Sequence, residues 1–89
     1  MERYQLRWSK QAVKDWKNLQ QSSYADKAKN LLALIRCDPY QTPPKFKSLR
    51  GGFEGVYSRR INQKHRLTYK VFEDEKIVLI IGMWTHYHE

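Results

Sequence analysis

The stretch from Gly55 to Trp84, GVYSRRINQKHRLTYKVFEDEKIVLIIGMW, decides the fold. Two short polar clusters, Asn62-Gln63-Lys64 and Glu73-Asp74-Glu75, cut it into three segments near residues 55–61, 66–72 and 76–84. Connections this short suit hairpins between antiparallel strands. In the middle segment Leu67, Tyr69 and Val71 alternate with Arg66, Thr68 and Lys70, the period-2 pattern of a strand with one face buried. The last segment holds the longest apolar run, Ile77 to Trp84 around Gly82, which is too short to cross a bilayer and reads as a buried strand.

Working outward, Gly51-Gly52 and Gly55 mark tight turns, and Tyr40 to Lys47, with Pro43-Pro44, forms an extended connection. Upstream lie two helical patterns. Ser9 is placed to cap a helix bearing Val13, Trp16 and Leu19 or Gln20 on its buried side. After a break at Gln21-Ser22-Ser23, a second helix carries Tyr24, Ala28, Leu31 and Ile35 on one face, widened by Leu32. Asp38-Pro39 ends it, because proline cannot continue the hydrogen-bond ladder and restricts the residue before it. Tyr4, Leu6 and Trp8 alternate in an opening strand. The expected architecture is α+β: an N-terminal strand, a two-helix hairpin, then antiparallel strands forming a sheet packed on the helices. Residues 1–89 read as a single domain with one modest core.

Charge narrows the partners. Seventeen Lys and Arg face nine Asp and Glu, giving a net charge of +8. Between Lys45 and Lys70 stand eight Lys and Arg with a single acid, Glu54. Such a concentrated excess favours a polyanion, nucleic acid or an acidic protein, over a merely solvated surface. No long basic amphipathic helix argues for a membrane. The charged opening Met1-Glu2-Arg3-Tyr4 leads into no apolar run of signal-peptide type, so the expected compartment is the cytoplasm. The single cysteine, Cys37, excludes an intrachain disulfide and reads as a buried structural thiol. His65 stands alone and His86-Tyr87-His88 lacks cysteines or clustered carboxylates, so neither a metal nor a cofactor is expected.

What remains is Arg59, Arg60, Arg66, His86 and Tyr87, with Tyr57 close by. RNA can be cleaved by driving its own 2′-OH onto the adjacent phosphate. That needs a base for the hydroxyl, positive groups for the charge on phosphate, and an acid for the departing 5′-oxygen. Histidine suits the acid role near neutral pH, and the arginine fork matches phosphate. An aromatic ring can hold a base by stacking. Taken singly, the same residues also read as strand-face charges and an ordinary C-terminal tail.

Tyr57-Ser58-Arg59-Arg60-Ile61-Asn62, then His65-Arg66-Leu67 and the terminal Trp84-Thr85-His86-Tyr87, together resemble the YoeB/Txe branch of the RelE/ParE toxin superfamily. Tyr40-Gln41-Thr42-Pro43-Pro44 and the strand into Trp8-Ser9 fit the same pattern, so the resemblance covers nearly the whole chain. It implies a RelE-like fold and the toxin of a type II toxin–antitoxin system. The implied activity is a metal-independent, ribosome-dependent endoribonuclease (an mRNA interferase) cutting in the decoding site. The implied partners are a YefM-like antitoxin, the ribosome and mRNA, operator DNA only through the antitoxin, and a second copy in a homodimer. Residue by residue, it suggests Arg66 as the phosphate-stabilising arginine, His86 as general acid and Tyr87 as a base-stacking or orienting group. Lys45, Arg50, Arg59 and Arg60 become RNA or ribosome contacts. Strand alternation allows only one of Arg59 and Arg60 to face the site. His65 becomes a structural residue or a ribosome contact.

One position departs from the family. Where its pattern has Phe-Glu-Lys-Leu, with the glutamate as general base, this chain has Phe46-Lys47-Ser48-Leu49. Lys47 therefore serves as base or phosphate clamp, or a ribosomal RNA group supplies the base, or the toxin is attenuated. Two alternatives from other classes stay open. One is a non-catalytic, toxin-like partner of an antitoxin, favoured by Lys47. The other is a ParE-like gyrase poison, which has no need of His86.

Overall fold

A computed structural model describes residues 3–48 and 55–84. Seven elements follow in order: β1 (Gln5–Trp8), α1 (Lys10–Gln20), α2 (Ala25–Cys37), β2 (Lys47–Ser48), β3 (Val56–Arg60), β4 (Arg66–Phe72) and β5 (Ile77–Gly82). The strands form one sheet in the order β1-β5-β4-β3-β2. The α+β architecture and the antiparallel β3-β4-β5 meander match the sequence expectation. Two features go beyond it. β1 returns to pair parallel with β5, Leu6 opposite Val78 and Trp8 opposite Ile80. The extended connection after α2 ends in β2, which pairs antiparallel with β3.

The caps are legible locally. Ser9 Oγ accepts from the Ala12 N–H at 3.0 Å and its hydroxyl donates to the Ile81 carbonyl at 2.8 Å, so one residue starts α1 and ties it to β5. In the β3–β4 turn Asn62 Oδ1 accepts from the Lys64 and His65 N–H groups at 2.8 and 2.7 Å, a side-chain turn of the kind asparagine favours.

The core joins Leu19 of α1 and Leu31 and Ile35 of α2 to Leu67, Tyr69, Val78 and Ile80 of the sheet, each 5% exposed or less. Each such side chain contributes roughly 1.5–3 kcal/mol on burial. α2 buries Ala28, Leu31, Leu32 and Ile35 as expected, but Tyr24 precedes the helix and is 41% exposed. α1 is rotated from expectation. Val13 is 45% exposed, and the inward positions are Ala12, Leu19 and a carboxylate, Asp15. Asp15 is buried because it has partners: Oδ2 accepts the Met83 N–H at 2.9 Å and Oδ1 accepts from Gln11 Nε2 at 2.9 Å.

Candidate functional site

Antiparallel pairing sets Arg60 directly opposite Arg66 and Ser58 opposite both Thr68 and Lys47. Opposed residues share a face with their Cβ atoms about 4.5–5.5 Å apart. Like charges facing each other this closely repel unless an anion lies between them. Arg66 is held by its Nε, which donates to Ser58 Oγ at 2.7 Å. Arg60 is exposed.

A cleft of about 530 Å³ opens here. It carries five cations, Lys27, Lys45, Lys47, Arg60 and Arg66, over an apolar lining of Leu31, Pro44 and Phe46. No carboxylate lines it among the described residues. Four residues selected from sequence thus meet in one place, although they come from the loop after α2, from β2, and from both strands of the β3–β4 hairpin. Lys27 was missed. It precedes Leu31 by one helical turn, so the helical period already places it beside the buried face.

Arg59 corrects the sequence reading. The expected RNA or ribosome contact is not what the structure shows: Arg59 is fully buried and bonded inside the protein. Its Nε donates to Tyr69 Oη at 3.1 Å, one terminal nitrogen to the Pro44 carbonyl at 2.7 Å, and the other to the carbonyls of Pro39 at 3.0 Å and Gln41 at 2.8 Å. Its guanidinium also lies 4.8 Å from the centre of the Phe46 ring. Arg60, exposed at the end of β3, lines the cleft, while alternation puts Arg59 on the face of Leu67 and Tyr69, where it anchors the loop that delivers Lys45 and Lys47. Tyr69 completes the anchor by donating to the Pro39 carbonyl at 2.7 Å. Burial pushes the Tyr69 phenol up from its ordinary range, against the opposing pull of Arg59.

The end of β5 is held from two sides. The Met83 N–H is bound by Asp15, and the Trp84 indole stacks on the His65 imidazole with centroids 3.9 Å apart and planes inclined by 18°. Arg50, His86 and Tyr87 lie outside the described residues. Among the described residues no cluster of three or more His, Cys, Asp or Glu could hold a metal ion. A second groove, of about 470 Å³, runs between β1 and α2 and is lined by Leu6, Trp8, Leu32 and Ala33 with Lys29 and Arg36. It holds none of the residues suited to chemistry, so the cationic cleft is the candidate site.

The family described as YoeB-like toxin of bacterial type II toxin-antitoxin systems matches residues 8–87. The chain belongs to this family. Toxin YoeB of Escherichia coli is 31% identical over 84 residues, covering 92% of this chain and 98% of that protein. Toxin YoeB of Streptomyces coelicolor is 39% identical over 49 residues; that match spans 55% of this chain and 58% of the relative's length. Among solved structures, the YoeB dimer of Staphylococcus aureus superposes with a TM-score of 0.79 at 34% identity, covering 96% of this chain and 99% of the other. The same S. aureus toxin is also known in complex with YefM. No described helix of this YoeB-family chain is long and apolar enough to cross a membrane.

Proposed function

We propose that this toxin is a ribosome-dependent endoribonuclease that cuts mRNA in the decoding site by attack of a 2′-OH on the adjacent phosphate. The observation that carries the reading is the opposed Arg60–Arg66 pair in a cleft of five cations with no lining carboxylate among the described residues. A phosphodiester entering there would relieve the repulsion and meet the arginine forks.

The new bond joins the 2′-oxygen to phosphorus, and the bond to the 5′-oxygen breaks, leaving a cyclic phosphate and a 5′-hydroxyl. Arg66, oriented by Ser58, stabilises the charge on the phosphate oxygens. His86 donates the proton that the 5′-oxygen takes, and Tyr87 stacks on or orients a base. Lys47 as an ammonium clamps the phosphate while a ribosomal RNA group takes the 2′-OH proton, or Lys47 in its neutral form takes that proton itself; Arg60, Lys45 and Arg50 bind the RNA backbone. A YefM-like antitoxin is the partner, as YefM is for the S. aureus relative, and a homodimer is supported by the same relative. An acidic antitoxin segment folding over the cleft would neutralise the toxin by competing with RNA.

His86→Gln tests the reading. Loss of a general acid lowers the rate by about a hundred- to ten-thousand-fold. Primer-extension maps of induced cells should show cuts at translated codons with the native chain, none without translation, and none with the variant. Cuts that persist in a stably expressed His86→Gln toxin would count against the acid, and cuts without translation against the ribosome.

A further inference from the structure

The chemistry above uses the cations of the cleft and gives no role to its apolar floor. A groove that gripped phosphates alone would need only charge, because a phosphate has no apolar surface to bury. Here Leu31, Pro44 and Phe46 lie among the five cations. Phe46 stands between Lys45 and Lys47 in sequence, is half-buried, and lines the cleft with the part that stays accessible. Behind it lies the fully buried Arg59, with its guanidinium 4.8 Å from the ring centre. Tyr57 meets the same ring edge-on, with centroids 5.4 Å apart and planes inclined by 87°. A cation over the ring and an aromatic edge beside it fix the plane of Phe46 before any ligand arrives.

The cleft therefore joins a braced flat ring to a set of phosphate-binding cations. Its volume of about 530 Å³ falls within the roughly 300–1,000 Å³ of small-molecule sites. A nucleotide carries both complementary parts, a planar base and a phosphate, in one molecule of that size. An acidic peptide segment has the charge but no need of a braced ring.

We propose that the cleft is a nucleotide subsite, in which Phe46 stacks on one base of the RNA while Arg60, Arg66 and the flanking lysines hold the phosphate of that nucleotide. The subsite rests on the reading of RNA as the ligand of the cleft, and it can be measured without ribosome or cleavage. Stacking tolerates every base, since each has a π face, so Phe46 supplies affinity and position rather than sequence choice. One stacked base is worth about five- to a hundredfold in affinity.

Isothermal titration of the antitoxin-free full chain with adenosine 3′-monophosphate, adenosine and inorganic phosphate tests this. The nucleotide should bind at least about fivefold more tightly than phosphate, and more tightly than adenosine. Phe46→Leu keeps an apolar side chain and should weaken the nucleotide by about five- to twentyfold while leaving phosphate within about twofold. Unchanged phosphate binding reports that the loop still delivers Lys45 and Lys47. Phe46→Tyr should stay within about threefold of the native chain for both probes. Arg60→Gln should weaken nucleotide and phosphate alike, because it removes a fork that both use. With the native chain, an intermolecular NOE should join the adenine ring protons to those of Phe46.

Nucleotide binding no tighter than phosphate binding would overturn the subsite and leave the apolar floor to side chains of the antitoxin. Unchanged nucleotide affinity in Phe46→Leu would overturn it too, as would equal losses in the Leu and Tyr variants. Loss of phosphate binding together with nucleotide binding in Phe46→Leu would make the ring a support for the loop, again contrary to the proposal. So would a bound nucleotide with no NOE to Phe46. The cleavage reading fails separately: a chain that binds the nucleotide through Phe46 but cuts no translated mRNA keeps the subsite and loses that reading, and a chain that cuts while failing these titrations does the reverse.

Discussion

Replacing Arg59 with methionine keeps an unbranched stem in the core but removes the three guanidinium hydrogen bonds to residues 39–44, leaving only that from Tyr69 to Pro39 among the side-chain donors of the sheet. Four hydrogen bonds from one cation are lost, to Tyr69 Oη and to the carbonyls of Pro39, Gln41 and Pro44. Hydrogen bonds to a charged group are worth about 1.5–3 kcal/mol each, and the buried guanidinium costs several kcal/mol to desolvate. The Pro39 carbonyl keeps its bond from Tyr69, and the Gln41 and Pro44 carbonyls are only partly buried and can take up water. The net loss should therefore be about 3 kcal/mol, well below the gross sum. For a domain of this size that lowers Tm by about 12–24 °C. Arg59→Lys should be nearly as damaging, because one ammonium cannot span carbonyls that a planar fork reaches together. Urea unfolding of the antitoxin-free toxin measures the effect. RNA binding by the folded fraction, read at permissive temperature, should fall only as far as Lys45 and Lys47 lose their support. A stability loss below about 0.5 kcal/mol, with RNA affinity strongly reduced, would refute the anchoring argument and return Arg59 to the RNA surface.

Asp15→Ala leaves the buried Met83 N–H without its acceptor and should cost about 1.5–3 kcal/mol, with Asp15→Asn costing less; an alanine variant as stable as the native chain in urea would contradict the assignment. Lys47→Ala and Lys47→Glu should both lower single-turnover cleavage at saturating ribosome, because Lys47 shares its cleft with four other cations; a faster Lys47→Glu toxin would instead identify a site that lacks a carboxylate base. Glu73 is held below the ordinary carboxylate range by hydrogen bonds from Lys76, Tyr40 and Tyr4. Its folded-state value is lowered, so its contribution is complete above the unfolded value and disappears as pH falls through the folded one. The stability gap between native and Glu73→Gln chains should therefore shrink between about pH 6 and pH 3, and a gap that widens on acidification would be the contrary result.

Much of this protein was legible from side-chain period and turn chemistry. The alternation in Leu67, Tyr69 and Val71 located β4 and its buried face, and Asn62 and Ser9 announced a turn and a cap that need only their own neighbours. Alternation also required Arg59 and Arg60 to face opposite ways. Which one opens to solvent was not local information. That choice depends on the carbonyls of Pro39, Gln41 and Pro44, which reach Arg59 only after the loop folds over the helix-side face of the sheet. The inward turn of Asp15 has the same origin: its partner Met83 lies 68 residues away in sequence, and by periodicity alone a carboxylate belongs on the solvent side. Lys27 joins the cleft because α2 packs beside the loop of Lys45 and Lys47, and His65 meets Trp84 because the β3–β4 turn reaches the end of β5. Periodicity records which face each residue takes, since that is a property of the backbone over a few residues. It holds no record of which distant groups satisfy a buried charge or stack on a ring, and those pairings arise only when the elements pack.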